Sequence, residues 1–192
     1  MNPKVKRSIK FSIIIAVITF VLAAIFSVVS SSILGQVMWV IGLGIVFLIV
    51  LTGIFFDMLG VASTAANEAP FHAMAAEKVP GAKEAVIIIR NADKFSSFCN
   101  DVIGDISGIV SGTASAIVVL QIAELFQSLD ETSAQIIISV LLTSFVAAFT
   151  VGGKALGKFF AIQASTSIIF TTGKFIAFVE SKLRLRLIPK GK

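Results

Sequence analysis

The sequence predicts an all-α integral membrane protein: about four transmembrane helices, a cytoplasmic juxtamembrane helical hairpin and a C-terminal amphipathic or re-entrant helix. Three observations carry this prediction. Of 192 residues, 56% are hydrophobic and 14% charged, whereas a soluble domain carries about 25% charged residues. The apolar residues gather in runs that approach the length of about 20 needed to cross a bilayer. All 16 Lys and Arg fall within residues 4–10, 78–94 or 154–192, so residues 11–77 and 95–153 carry no basic side chain.

The first element follows MNPKVKRSIK, a segment with four basic residues, and covers Phe11–Leu34 without a charge. A basic start before an apolar run is also the form of a signal peptide. The run is long, however, and no A-x-A cleavage site follows it, so a retained helix is expected. Residues 1–36 therefore make an N-terminal extra transmembrane helix. The second span is Val37–Phe56, and Asp57 follows it as a carboxylate at the membrane–water boundary.

Residues 60–100 are more polar. Pro70 suits the first turn of a short helix, Pro70–Lys78, because its missing N–H is not needed there. Pro80-Gly81 forces a turn, and Ala82–Arg90 makes a second short helix whose AVIII stretch is apolar enough to dip into the interface. The Asn91-Ala92-Asp93 stretch caps a further turn leading to Cys99.

The stretch DVIGDISGIVSG, Asp101–Gly112, opens the third span with an acid and sets Gly104, Gly108 and Gly112 four residues apart. That spacing puts the glycines on one helix face, where another backbone can approach closely. The span is expected from about Asp105 to Leu125. Asp105 either favours the helix dipole or serves as a cation ligand, since an ionisable group beside an apolar segment needs water, a partner or an ion. A polar loop, Gln127–Gln135, carries Asp130 and Glu131 but no basic residue, and Ile136–Val151 is the fourth span, stopped at Gly152-Gly153-Lys154.

Phe159–Val179 is apolar but interrupted by Gln163, a Ser/Thr cluster and Lys174. The basic sequence KLRLRLIPKGK ends the chain. With four spans and both termini inside, every basic residue lies on the cytoplasmic side, whereas a fifth span would send the tail outside against the positive-inside rule. Phe159–Val179 is therefore read as an interfacial or re-entrant helix. Residues 37–180 form the transmembrane domain and residues 181–192 a basic cytoplasmic tail. The expected location is the inner or plasma membrane, multi-pass.

The composition also limits the chemistry. One cysteine and one histidine provide neither an internal disulfide nor a Cys/His zinc site, and no nucleophile elbow accompanies His72. An enzyme is not expected, nor an organic cofactor. The net charge of +5 sits at the edges of apolar segments, as topology requires, so the lipid bilayer and not nucleic acid is the expected counterpart.

The order of helices resembles the transmembrane domain of the cyclin M (CNNM)/CorB/CorC family of magnesium transporters, over roughly residues 50–180. The family's FFSGSETAL is answered by FFDMLGVAS, Phe55–Ser63, and LAEEGNKRAKRAL by MAAEKVPGAKEAV, Met74–Val86. NPERF is similar to NADKF, Asn91–Phe95. IGNNLVNI is similar to IGDISGI, Ile103–Ile109, with Asp105 where asparagine is usual. GEIIPKSL corresponds to FTVGGKAL, Phe149–Leu156. The resemblance implies transport or export of a divalent cation, Mg²⁺, through a small polar site between core helices, in a homodimer. Leu59 and Gly60 replace the serine and glutamate of the family's GSE, and Thr150 the glutamate of GEIIPK. The remaining oxygen donors are Asp105, Ser107, Thr150, Asn100, Asp57 and Ser63, with Asp105 and Thr150 at the centre of the expected site. A hard cation takes about six oxygens, some from carbonyls or water. The family's cytosolic CBS pair and further C-terminal domain have no counterpart in these residues, which leaves room for a separate regulatory protein as partner. A non-transporting membrane scaffold or regulatory subunit, with the fold retained and the ion site degenerate, is the alternative.

Overall fold

A computed structural model describes residues 3–124 and 131–183. The described residues are helical throughout apart from short turns: α1 Pro3–Leu34, α2 Trp39–Ala65, α3 Ala69–Ala76, α4 Ala82–Arg90, α5 Ala92–Ser97, a π-helical segment Phe98–Gly104, α6 Asp105–Ala123, α7 Glu131–Gln163 and α8 Ser165–Leu183. Four stretches are long and apolar enough to cross a membrane: Ser8–Leu34, Trp39–Ala65, Ala92–Ala123 and Ile136–Gln163. The expected all-helical class is therefore present, with four stretches long and apolar enough to span, and α8 is not among them. Residues 127–130 of the expected polar loop and 184–192 of the tail lie outside the described residues.

The chain divides into two compact units, Met1–Ile54 with Asp101–Gly153, and Phe55–Asn100 with Lys154–Lys192. In the first, Val46 and Val50 of α2, Ala114 and Val118 of α6, Val146 of α7 and Leu34 of α1 form a buried aliphatic cluster. Ile15 and Leu22 of α1 pack against a second cluster, Val102, Ile106 and Val110. The side of α6 turned inward is a serine row: Ser107, Ser111 and Ser115 are buried. Each serine hydroxyl donates to a carbonyl of the same helical stretch, that of Ile103 at 2.8 Å, Gly108 at 2.9 Å and Ser111 at 2.7 Å. Such back-bonding lets a serine pack like a small apolar residue.

Of the expected glycine row, Gly104 is buried with its carbonyl 3.5 Å from a Cβ built at Gly53 of α2, and Gly108 and Gly112 are not approached. A Cβ at Gly108 or Gly112 would meet nothing, whereas one at Gly53 of α2 would lie 2.8 Å from the Ser107 Cβ, and one at Gly42 2.9 Å from Val118. The end of α6 is fastened by Gln121, whose amide N–H₂ donates to the carbonyls of Leu34 (2.9 Å) and Val37 (3.1 Å). These belong to the carbonyls that a helix C-terminus and the following turn leave without intrahelical partners.

In the second unit, α3 starts with Pro70 in its first turn, as expected. The α3–α4 turn uses two left-handed residues, Lys78 (φ 59°) and Gly81 (φ 88°). Helix α4 buries Ala82, Ala85, Val86 and Ile88. Its small residues admit α8: a Cβ at Gly173 would collide with the Gly81 carbonyl, and one at Gly81 would lie 2.5 Å from the Lys174 backbone nitrogen. Phe71, Ile88, Ala161 and Ile169 close the core of this unit. On its surface Glu68 accepts from Arg90 Nε at 2.5 Å and lies 2.7 Å from His72 Nε2. The hydrogen bond from Arg90, followed by that from His72, holds the Glu68 carboxyl below its usual 4.5.

Four boundaries differ from the sequence expectation. Helix α2 continues past Phe56 to Ala65, because Asp57 finds compensation within the fold. The stretch Ala92–Ala123 stays helical where a turn before Asp105 was expected. Residues 131–135 belong to α7, not to a loop, and α7 runs through Gly152-Gly153 to Gln163. Glycine costs a helix about 1 kcal/mol relative to alanine, but at Gly153 the missing side chain is the space into which Ile54 packs. Phe159–Val179 is consequently split between the end of α7 and α8, with the break at Ala164.

Candidate functional site

The carboxylate that the fold buries is Asp57, at 4% exposure within α2. One turn on, Gly60 provides a gap, and the amide oxygen of Asn100 occupies it so closely that a Cβ at Gly60 would collide with it. Ser63, 1% exposed, donates its hydroxyl to the Gly60 carbonyl at 2.7 Å. Residues three apart share a helix face, so Asp57, Gly60 and Ser63 make one small, oxygen-bearing face of α2, to which Asn100 is added from the π-helical segment.

Two buried oxygens in this group have no hydrogen-bond donor among the described residues: Asp57 Oδ2 and Asn100 Oδ1. The Asn100 amide N–H₂ is engaged, donating to Ser96 Oγ at 3.2 Å. Burial of an acceptor without a donor costs about 1–3 kcal/mol, and more for a charged group. Asn100 Oδ1 lies at the Gly60 gap and Asp57 is one helical turn away in α2, so each buried acceptor is suited to a donor or a cation.

Charge compensation comes from α7. Lys154 Nζ lies 3.9 Å from Asp57 Oδ1, and Lys158 Nζ 3.7 Å from Oδ2, with the lysine side chains 22% and 52% exposed. Both distances exceed the 2.7–3.2 Å of an N–H···O hydrogen bond. The ammonium groups therefore balance the carboxylate electrostatically while standing off the Oδ2 lone pairs.

Of the six oxygen donors named from the sequence, Asp57, Asn100 and Ser63 lie in the second unit, and Asn100 and Ser63 both meet Gly60. The other three belong to the first unit. Asp105 is exposed at the start of α6, Ser107 bonds to Ile103, and Thr150 donates to the Val146 carbonyl at 2.7 Å. Among the described residues no group of three or more His, Cys, Asp or Glu side chains could hold a metal ion. Any cation site here must rest on one carboxylate with amide, hydroxyl and carbonyl oxygens. Hard cations such as Mg²⁺ accept that donor type and are often bound through one or two carboxylates.

Sequence reasoning did not find Lys154 and Lys158 as partners of Asp57. Their i, i+4 spacing on a helix was the available signal, but it names no acid. At Gly60 the fold uses the absent side chain as the gap that Asn100 fills. Comparison of the chain with known families, with characterised proteins and with solved structures finds no match.

Proposed function

We propose that this chain is a multi-pass membrane protein that moves a divalent cation, Mg²⁺ in the reading the sequence resemblance suggests, through a site formed by Asp57, Asn100 and Ser63. The observation that carries the proposal is the pair of buried acceptor oxygens without donors, Asp57 Oδ2 and Asn100 Oδ1. A cation entering there gains a carboxylate and an amide oxygen, with water or a backbone carbonyl completing its shell. Lys154 and Lys158 hold the site while it is empty and must swing away as the cation arrives, because like charges at this range repel. The distribution of basic residues supports a topology with both termini, the α3–α4 hairpin and α8 on the cytoplasmic side.

The test is Mg²⁺ entry into proteoliposomes containing a magnesium-sensitive dye, with Asp57→Asn and Asp105→Ala measured beside the parent. Flux lost in Asp57→Asn and kept in Asp105→Ala is the expected pattern. Flux that survives Asp57→Asn removes this site from the mechanism. A second reading, a non-transporting scaffold or regulatory subunit, is favoured by one specific feature: Asp57 already faces two lysines. It predicts no flux from folded, inserted protein and no change in thermal stability with Mg²⁺.

A further inference from the structure

The second unit contains an open-mouthed cavity of about 620 Å³, within the 300–1,000 Å³ range of small-molecule sites. It is separate from the Asp57 face in its chemistry. Phe55, Phe56, Phe95, Phe98 and Phe175 line it with Met58, Leu59, Ile168 and Ile176, and Cys99 and Ser167 complete the wall beside the threonines. Two threonines of α8 also border it, but their hydroxyls are already used: Thr171 donates to the Ser167 carbonyl at 2.9 Å and Thr172 to that of Ile168 at 2.8 Å. Water in such a space would find few partners, and a water needs two to four. The cavity suits a hydrocarbon.

A cation accompanies it. Lys174 is exposed and follows Thr171 by one turn of α8, beside the lining residues Thr172 and Phe175. Its ammonium rests over the Phe170 ring, 4.2 Å from the centroid. The acid of α8, Glu180, lies six positions further on, and no acidic residue is nearer to Lys174 in the sequence. The cavity is bordered by residues of two membrane-spanning stretches, Trp39–Ala65 and Ala92–Ala123, and the hydrocarbon such stretches meet is the acyl chain of a lipid.

We propose that this cavity is a binding site for one acyl chain of an anionic phospholipid, with the headgroup phosphate held at the mouth by Lys174. The site is independent of the cation reading and needs only that the protein resides in a bilayer. The phenyl rings supply deformable apolar walls for a flexible chain, and Lys174 supplies the preference for negative charge. A basic residue near an anionic membrane surface contributes about 1 kcal/mol, equivalent to about a fivefold change in occupancy.

The experiment uses the full chain in phosphatidylcholine nanodiscs doped with phosphatidylglycerol that carries a diazirine on one acyl chain. After illumination, adducts are located by peptide mass spectrometry. The expected result is enrichment on the peptides holding Phe95–Cys99 and Ile168–Ile176 over Phe20 and Val28, exposed positions of α1. Thr171→Trp, at an exposed position whose larger side chain fills the cavity, brings that enrichment down to the α1 level, and Thr172→Phe provides an independent filling variant. Enrichment falls about fivefold when the probe carries a phosphatidylcholine headgroup or the protein carries Lys174→Gln. Labelling no higher than on α1, or labelling that both filling variants leave unchanged, overturns the site. Equal labelling by phosphatidylcholine, phosphatidylglycerol and a diazirine fatty acid overturns the assignment to an anionic phospholipid.

Discussion

Asp57→Asn keeps the shape of the side chain and removes its charge, leaving two ammonium groups facing an amide. At 3.7 and 3.9 Å and an effective dielectric constant of about 20, each ion pair is worth about 4 kcal/mol before other terms are counted. Desolvation of the carboxylate, 4% exposed, offsets much of this. Solvent screening removes most of the Lys158 contribution, since that side chain is 52% exposed. Lys154, at 22% exposure, retains more. A net destabilisation of about 2 kcal/mol remains, corresponding to a Tm lowered by about 4–8 °C for a chain of this size. The assay is thermal unfolding followed by circular dichroism for the parent, Asp57→Asn, Lys154→Met and the double variant. In the double variant about half the loss returns, because the more buried ammonium no longer faces an amide in place of the carboxylate. A coupling energy between the two substitutions below about 0.5 kcal/mol refutes the argument, since that is the scatter of independent sites.

Three other outcomes follow from the packing and the surface charges. Gly81→Ala and Gly173→Ala each weaken the seating of α8 on α4. A left-handed non-glycine costs about 1–2 kcal/mol at position 81, and a Cβ at either position meets backbone of the other segment; faster hydrogen exchange in α8 and α4 reads this. Gln121→Leu strands the Leu34 and Val37 carbonyls and costs about 1–3 kcal/mol, measured as a lowered Tm with loss of exchange protection at the α1–α2 turn. Glu68, with its carboxyl held below 4.5 by Arg90 and His72, contributes stability that is present above that value and lost as pH falls through its lowered folded pKa. Arg90→Gln should flatten this acid-side slope in a Tm-versus-pH series.

The long apolar helices and the hairpin were legible in the sequence because their causes are local. Apolar runs of sufficient length show through composition, and Pro70 and Pro80-Gly81 fix the backbone around the hairpin whatever packs on it. Helix ends were less legible. Asp57 and Gly152-Gly153 look like stops when read alone, yet the lysines of α7 compensate the first and Ile54 fills the space beside Gly153. The spacing of Gly104, Gly108 and Gly112 defined a face without naming what covers it, and inside the chain the buried row of α6 is Ser107, Ser111 and Ser115. Of the candidate site, the oxygen donors Asp57, Asn100 and Ser63 could be named from residue type. Their grouping could not, because it depends on a gap at Gly60 and on a partner about forty residues away, in a segment whose π-helical turn shifts the helical register.

The open space beside Gly108 and Gly112 bears on which substitutions the protomer can absorb. Among the described residues nothing lies within 4 Å of a Cβ added at either position, and alanine there improves helix propensity by about 1 kcal/mol per site. Within a single protomer the pair is a reserve of unused stability, open to redesign with no repacking of neighbours. A library of small side chains at these two positions would map how much bulk the surroundings of the helix tolerate. The described residues of the chain set no limit there.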